Sequence, residues 1–213
     1  MTNQASWPSE FAAVVACERC SVSTDRRLLR DPLENVPQPG FIGDNYPSRR
    51  VLLIGQNPGT PKSRLAADMP YTAALRALRD DPTEGPYQHL RKVLKTFIPQ
   101  WPVHGNYFPL SECGLTLEDI AYCNVVRCRT TKDAMPSDHT ARTCSQSHLA
   151  RWVSLLAPRV VVFIGKWAFE RGHSIVDRHG IPCDYMNRQR SLSSEARLEN
   201  RERVSELVRR VAG

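Results

Sequence analysis

Val51-Leu52-Leu53-Ile54-Gly55-Gln56-Asn57-Pro58-Gly59 is the stretch that decides the fold. Four apolar residues follow Arg49-Arg50 and stop at a glycine. Without polar alternation, such a run reads as a strand buried on both faces, as strands of parallel sheets are. Gly55 to Gly59 reads as the loop that leaves it. Ile120 to Val126 and Arg159 to Gly165 repeat the pattern, and Ile181 to Met186 reads as a last, shorter strand. Helical stretches lie between and around them: Tyr71 to Arg79, Tyr87 to Phe97, a helix capped by Ser137 that runs to Ala157 and stops at Pro158, and Lys166 to Val176. Ser194 caps a final helix with Leu198, Val204, Leu207, Val208 and Val211 on one face. Strands alternating with helices predict an α/β fold of three layers. Its centre is a mostly parallel four-stranded sheet flanked by helices. Ligands of such sheets bind at the carboxyl ends of the strands. The two candidate loops are therefore Gly55–Gly59 and the segment after Asn124.

The chain of 213 residues reads as a single domain over 1–213, large enough to bury a core without disulfide staples. Residues 1–50 read as an irregular segment, broken by Pro32, Pro37, Pro39, Gly40, Gly43 and Pro47. With 41% hydrophobic and 24% charged residues, disordered and fibrous classes are excluded. The apolar runs are far shorter than the ~20 residues of a membrane span, so no membrane partner is expected. Met1 to Glu10 carries no basic-then-apolar leader pattern, which points to a cytoplasmic protein. The formal net charge of +7 favours polyanionic partners, nucleic acid among them.

Seven cysteines, Cys17, Cys20, Cys113, Cys123, Cys128, Cys144 and Cys183, are an odd number, which suits a pure disulfide framework poorly. Cys17-Glu18-Arg19-Cys20 is a C-x-x-C, and Cys128 and Cys144 are a second, wider pair. Two thiolates in a tight turn with two more from elsewhere can close a metal or cluster site. The same spacing fits a redox pair or buried thiols.

Gly55 and Gly59 allow close backbone approach, and Pro58 stiffens the turn. The loop matches neither a Walker A sequence nor G-x-G-x-x-G. Asn124 interrupts an apolar strand. A buried amide must be satisfied, and its donor and acceptor can read two adjacent groups of a ligand or bond a neighbouring loop.

Taken in order, Cys17-x2-Cys20, Gly55–Gly59, Met69-Pro70-Tyr71, Tyr122-Cys123-Asn124-Val125-Val126-Arg127-Cys128-Arg129 and Cys144 resemble the uracil-DNA glycosylase superfamily. The chain is most similar to its iron–sulfur branch, family 4. There a C-x-x-C, an N-V-x-K-C-R motif and a cysteine about sixteen residues later hold a [4Fe–4S] cluster. This chain reads N-V-V-R-C-R from Asn124 to Arg129. The resemblance covers about residues 17 to 200. It implies Cys17, Cys20, Cys128 and Cys144 as ligands of a structural cluster that anchors residues 1–50. It leaves Cys113, Cys123 and Cys183 as ordinary thiols.

The same resemblance implies a monofunctional DNA glycosylase of base excision repair, with uracil-containing DNA as substrate and abasic DNA as product. Asn124 falls at the base-reading position, bonding O4 and N3–H of uracil. Tyr71 falls where an aromatic, more often phenylalanine, stacks on the extruded base. Gln56 falls where backbone donors face the leaving base, and Asn57 where a water is positioned. Arg129, with Arg19 and Arg127, is expected to offset cluster charge and hold phosphates. No lysine in the matched motifs offers a Schiff base. The protein is expected to be a monomer, associated with the nucleoid if it is bacterial.

Two departures stand out. The second motif of the superfamily carries a histidine that donates to uracil O2, and none occurs between Ile181 and Gly213. Arg188 falls near that slot, with Gln189 beside it. Arg190, Ser191 and Leu192 are the expected grip on the DNA backbone and the wedge into the emptied stack. Losing one such donor costs about 10²–10³ in rate, so a slow enzyme is expected unless a substitute exists. Gly59 also carries no side chain to block the thymine methyl, which leaves that exclusion to another group such as Gln56. The competing readings are a weak relative that binds uracil-containing or abasic DNA tightly, a small-molecule enzyme of the same α/β class, and a zinc protein.

Overall fold

Alternation along the strands sorts the side chains into two layers of core. The computed structural model describes residues 7–20, 25–29, 35–59, 69–97, 108–187 and 193–213. Strand β1 is Phe41–Ile42, β2 Val51–Gly55, β3 Ile120–Asn124, β4 Val160–Ile164 and β5 Cys183–Met186. They form one sheet in the order β1-β3-β2-β4-β5. The β2–β3, β2–β4 and β4–β5 pairs are parallel, and β1 runs antiparallel to β3. The sheet therefore has five strands where the sequence predicts four. Phe41–Ile42 is too short to carry a hydrophobic period, and it pairs only because Phe41 lies across from Tyr122 and Ile42 from Ala121.

The helices are α1 Trp7–Val15, α2 Tyr46–Arg49, α3 Met69–Asp80, α4 Glu84–Phe97, α5 Asp138–Cys144, α6 Ala150–Leu156, α7 Lys166–Asp177 and α8 Ser194–Ala212. Because strand side chains point alternately up and down, Leu52, Ile54, Ala121, Cys123, Val161 and Phe163 share one face. They pack with Phe11 of α1, Leu75 of α3, Leu90 of α4, Trp152 of α6 and Ile175 of α7. Val51, Leu53, Ile120, Val160, Val162 and Met186 share the other, against Val204, Val208 and Ala212 of α8 and Phe108, Leu110 and Leu115. Every residue of β4 is buried, each contributing about 1.5–3 kcal/mol of apolar burial. The three-layer α/β reading of the sequence holds.

The amino-terminal fifty residues are less irregular than their prolines suggest. Trp7–Val15 is helical, and Trp7, Phe11 and Val15 reach the core. Farther on, backbone bonds tie this segment to the stretch after β3: Leu29 N–H to the Arg129 carbonyl (3.0 Å) and Gln38 N–H to the Arg127 carbonyl (2.8 Å). The long helix expected from Ser137 to Ala157 is there, capped by Ser137, but a π-turn over Ser145–Leu149 separates α5 from α6. In α8 the cap is Ser193, not Ser194: its hydroxyl accepts from Ala196 N–H at 3.3 Å. Leu198 is 67% exposed, off the buried face that the sequence assigns to it. Among the described residues, no helix is long and apolar enough to cross a membrane.

Candidate active site

Two parallel neighbours, β2 and β3, end side by side, with Gly55 opposite Asn124. Their pairing continues past the strands. Val125 N–H donates to the Gly55 carbonyl at 2.8 Å, and Val126 N–H to the Gln56 carbonyl at 3.0 Å. The two candidate loops thus form one rigid ledge at the carboxyl end of the sheet. Asn124, 5% exposed, points to the α8 face, where its Oδ1 accepts from the Tyr122 hydroxyl at 2.8 Å. Among the described residues nothing accepts from its Nδ2. The glycine at 55 has a steric cause. A Cβ there would stand 2.4 Å from Asn124 Oδ1 and 2.6 Å from the Tyr122 hydroxyl, closer than real Cβ contacts come.

Asn57 is half-buried, and its Nδ2 donates to Thr130 Oγ1 at 3.1 Å and to the Pro58 carbonyl at 3.2 Å. Both amide hydrogens have partners, so the side chain presents Oδ1, an acceptor. Gln56 is half-buried beside it, and Gly59 is exposed with open space around its Cα. Tyr71, at the start of α3, is 1% exposed and sits in the core, its hydroxyl 3.4 Å from the Gln38 side chain. That is the position of a core aromatic rather than of a ring waiting at the surface.

Arg129 departs from the sequence reading. It is 5% exposed, and with the Gln38 amide oxygen turned toward it, its Nε and Nη2 donate at 3.1 and 3.2 Å. Arg127 is buried deeper, at 1%. Its Nη1 donates to the Pro39 carbonyl, and the group lies 4.7 Å from the Trp152 ring centroid. The expected sites Arg188, Arg190, Ser191 and Leu192 lie outside the described residues, as does Gln189.

On the other side of the ledge, Cys17, Cys20, Cys128 and Cys144 line one pocket with Arg19, Pro37, Arg127, Thr143, Ser147 and His148. The thiols lie within one another's field. Burial, then the charges of Cys17 and Asp25, pushes the Cys20 thiol up to about 11. Burial raises Cys144 to about 12 against the pull of Arg127. Cys128 is raised by burial first and then by the other three cysteines. The backbone N–H of Arg127 lies 3.2 Å from Cys144 Sγ. Among the described residues, Arg127 Nε and Nη2 and both ring nitrogens of His148 are buried without a hydrogen-bond partner. The π-turn carries His148 into this pocket, and nothing in the residue pattern announces it. Among the described residues, no three His, Cys, Asp or Glu side chains are grouped as a single metal ion needs.

Comparisons with known proteins point the same way. The sequence profile described as the Uracil DNA glycosylase superfamily matches residues 43–203. A protein of Thermotoga maritima named Type-4 uracil-DNA glycosylase is 23% identical over 150 residues, covering 68% of this chain and 62% of that protein. A protein of Sulfurisphaera tokodaii with the same name is 21% identical over 153 residues, covering 72% of this chain and 51% of that one. The chain thus spans about half to three fifths of the length of these curated relatives.

Proposed function

This chain belongs to the uracil-DNA glycosylase superfamily, and we propose that it is a monofunctional glycosylase that excises uracil from DNA and leaves an abasic site. The observation that carries this reading is the buried carboxamide of Asn124 at the carboxyl end of β3, with no partner for its Nδ2 among the described residues and Gly55 clearing the space beside it. One donor and one acceptor side by side match O4 and N3–H of uracil. Cytosine presents the reverse pattern and leaves both partners unsatisfied. A site built to bond such groups rejects the mismatch by about 10⁴-fold. The base must leave the stack to reach this ledge.

In the reaction the C1′–N1 bond breaks and its electron pair departs with uracil. Water adds to C1′, and its protons leave the sugar hydroxylated and the base neutral. Asn57, with Oδ1 as the acceptor it presents, orients that water; an amide cannot take the proton. The charge that develops on the base is met by donors around Gln56, where electrostatics supplies most of the rate. From the sequence, Arg188 serves the base, and Arg190, Ser191 and Leu192 serve the DNA.

We place a [4Fe–4S] cluster on Cys17, Cys20, Cys128 and Cys144. The donor set fits: four thiols converge on one pocket whose walls hold unpartnered buried N–H groups of Arg127 and His148. Sulfur is the acceptor such a wall lacks, and buried Arg127 offsets the negative charge of a thiolate-bound cluster. A cluster also spaces its thiolates more widely than one ion does. Bound there, it supplies a structural cross-link and no step of the reaction.

The test is incubation with uracil-containing DNA followed by alkali. Strand scission at uracil alone is expected, and intact strands at stoichiometric protein contradict the reading. The absence of a histidine between Ile181 and Gly213 favours a second reading, a slow relative that holds abasic DNA tightly. Affinity for abasic DNA far above that for undamaged DNA, with weak turnover, supports it; equal affinities remove it.

A further inference from the structure

The superfamily pattern gives O2 of the departing base a histidine donor that this sequence lacks, and we infer that the Tyr122 hydroxyl is the donor in its place. The inference rests on the uracil-excision reading and names a catalytic residue for it. Tyr122 lies two residues before Asn124 on β3, so the two share a face of the sheet. That face carries α8. The ring climbs along the strand. Its hydroxyl reaches 2.8 Å from Asn124 Oδ1 and 2.6 Å from the point a Gly55 Cβ would occupy. The ring packs against the core, and its hydroxyl stands at the ledge.

The hydrogen bond it makes is informative. In the free protein the phenol proton rests on Asn124 Oδ1, the atom that uracil N3–H uses when the base is read. An amide oxygen has two lone pairs and a hydroxyl turns freely, so base binding does not require Tyr122 to leave. O2 is attached to the carbon next to N3, so a donor held at Oδ1 borders it. As the C1′–N1 bond breaks, the pair that leaves with uracil spreads onto O2. That oxygen becomes a stronger acceptor than a neutral amide, and the hydroxyl turns to it. No proton need transfer. A donor aimed where charge develops lowers the barrier more than it tightens ground-state binding.

Tyr122→Phe removes the hydroxyl and keeps the ring. Single-turnover excision is measured on DNA carrying uracil and on DNA carrying 5-fluorouracil, whose anion is intrinsically more stable. Uracil excision should slow about 10²-fold, with the loss several-fold smaller on 5-fluorouracil and DNA affinity kept within about threefold. An equal loss on both bases marks a merely structural tyrosine and overturns the inference, as does an unchanged rate. A wild-type protein inactive on both bases overturns the uracil-excision reading, and this inference with it.

Discussion

Asn124 reads in the sequence as a polar interruption of an apolar strand, and the structure shows how the strand carries it. The Tyr122 hydroxyl takes one lone pair, and Gly55 leaves the room. Asn124→Asp replaces the donor with a second acceptor. Uracil excision should fall by about 10⁴ or selectivity over cytosine should collapse, read by comparing the two bases in one duplex sequence; unchanged selectivity contradicts the assignment. Gly55→Ala puts a methyl against that pair. The strand can still form, because β2 is buried by its other residues, so the protein should fold but lose excision by at least about 10²-fold. Near-normal activity at retained melting temperature contradicts the tight ledge. At this scale the pairing of Gly55 with Asn124 at the strand ends and the gathering of the four cysteines were legible because their residue types are unusual where they stand. The Tyr122 hydroxyl bonded to Asn124 was not, because a tyrosine inside a strand looks like core. The burial of Arg129 was not legible either: a motif gives neighbours in sequence, not burial.

Elements were legible where they are long. The runs that became β2, β3 and β4 declare themselves by continuous apolar character. Two-residue β1 has no period to read, and it forms only because β3 offers it a partner. The π-turn at Ser145–Leu149 arises from one backbone register change inside a helical pattern, which composition does not encode. The loop at Asp25 shows how such pieces are joined. Its carboxylate accepts from Arg27 N–H (3.0 Å), Ser137 N–H (2.8 Å) and the Thr140 hydroxyl (2.9 Å), binding the amino-terminal segment to the start of α5. Burial by itself raises this carboxyl; the donors of Ser137, Arg27 and Thr140 outweigh it and hold the group below the usual 3.8. A carboxyl lowered in the folded state adds stability that is fully present above its unfolded value and is lost as pH falls through the folded one. Asp25→Asn should flatten the acid limb of a stability–pH curve, and Asp25→Ala should cost about 1–3 kcal/mol at neutral pH by stranding those donors. Acid limbs that run parallel in wild type and Asp25→Asn contradict the linkage.

For the whole molecule, the sheet places two sites on either side of one ledge. The Asn124 amide lies on the α8 face, and the cysteine pocket lies where the amino-terminal segment meets α5 and the stretch after β3. Arg127 and Cys128 stand three and four residues after Asn124, just past the Val125 and Val126 amides that bond to the β2 loop, so whatever fixes Cys128 also steadies the ledge. Cys128→Ala should abolish the broad absorption near 400 nm that a cluster gives. It should also lower thermal stability, as loss of a cross-link between distant segments does, by about 2–5 kcal/mol if it acts as disulfides do. A colourless wild type, purified without oxygen and lacking iron and sulfide, contradicts the cluster while leaving the amide site standing. The net charge of +7 suits a partner as anionic as DNA. The most direct measurement is single-turnover incubation of the protein with a duplex holding one uracil, with the small molecules released identified by mass. Free uracil appearing in step with an alkali-labile site is the expected result. An intact duplex with no free base, at protein in excess over DNA, contradicts the account.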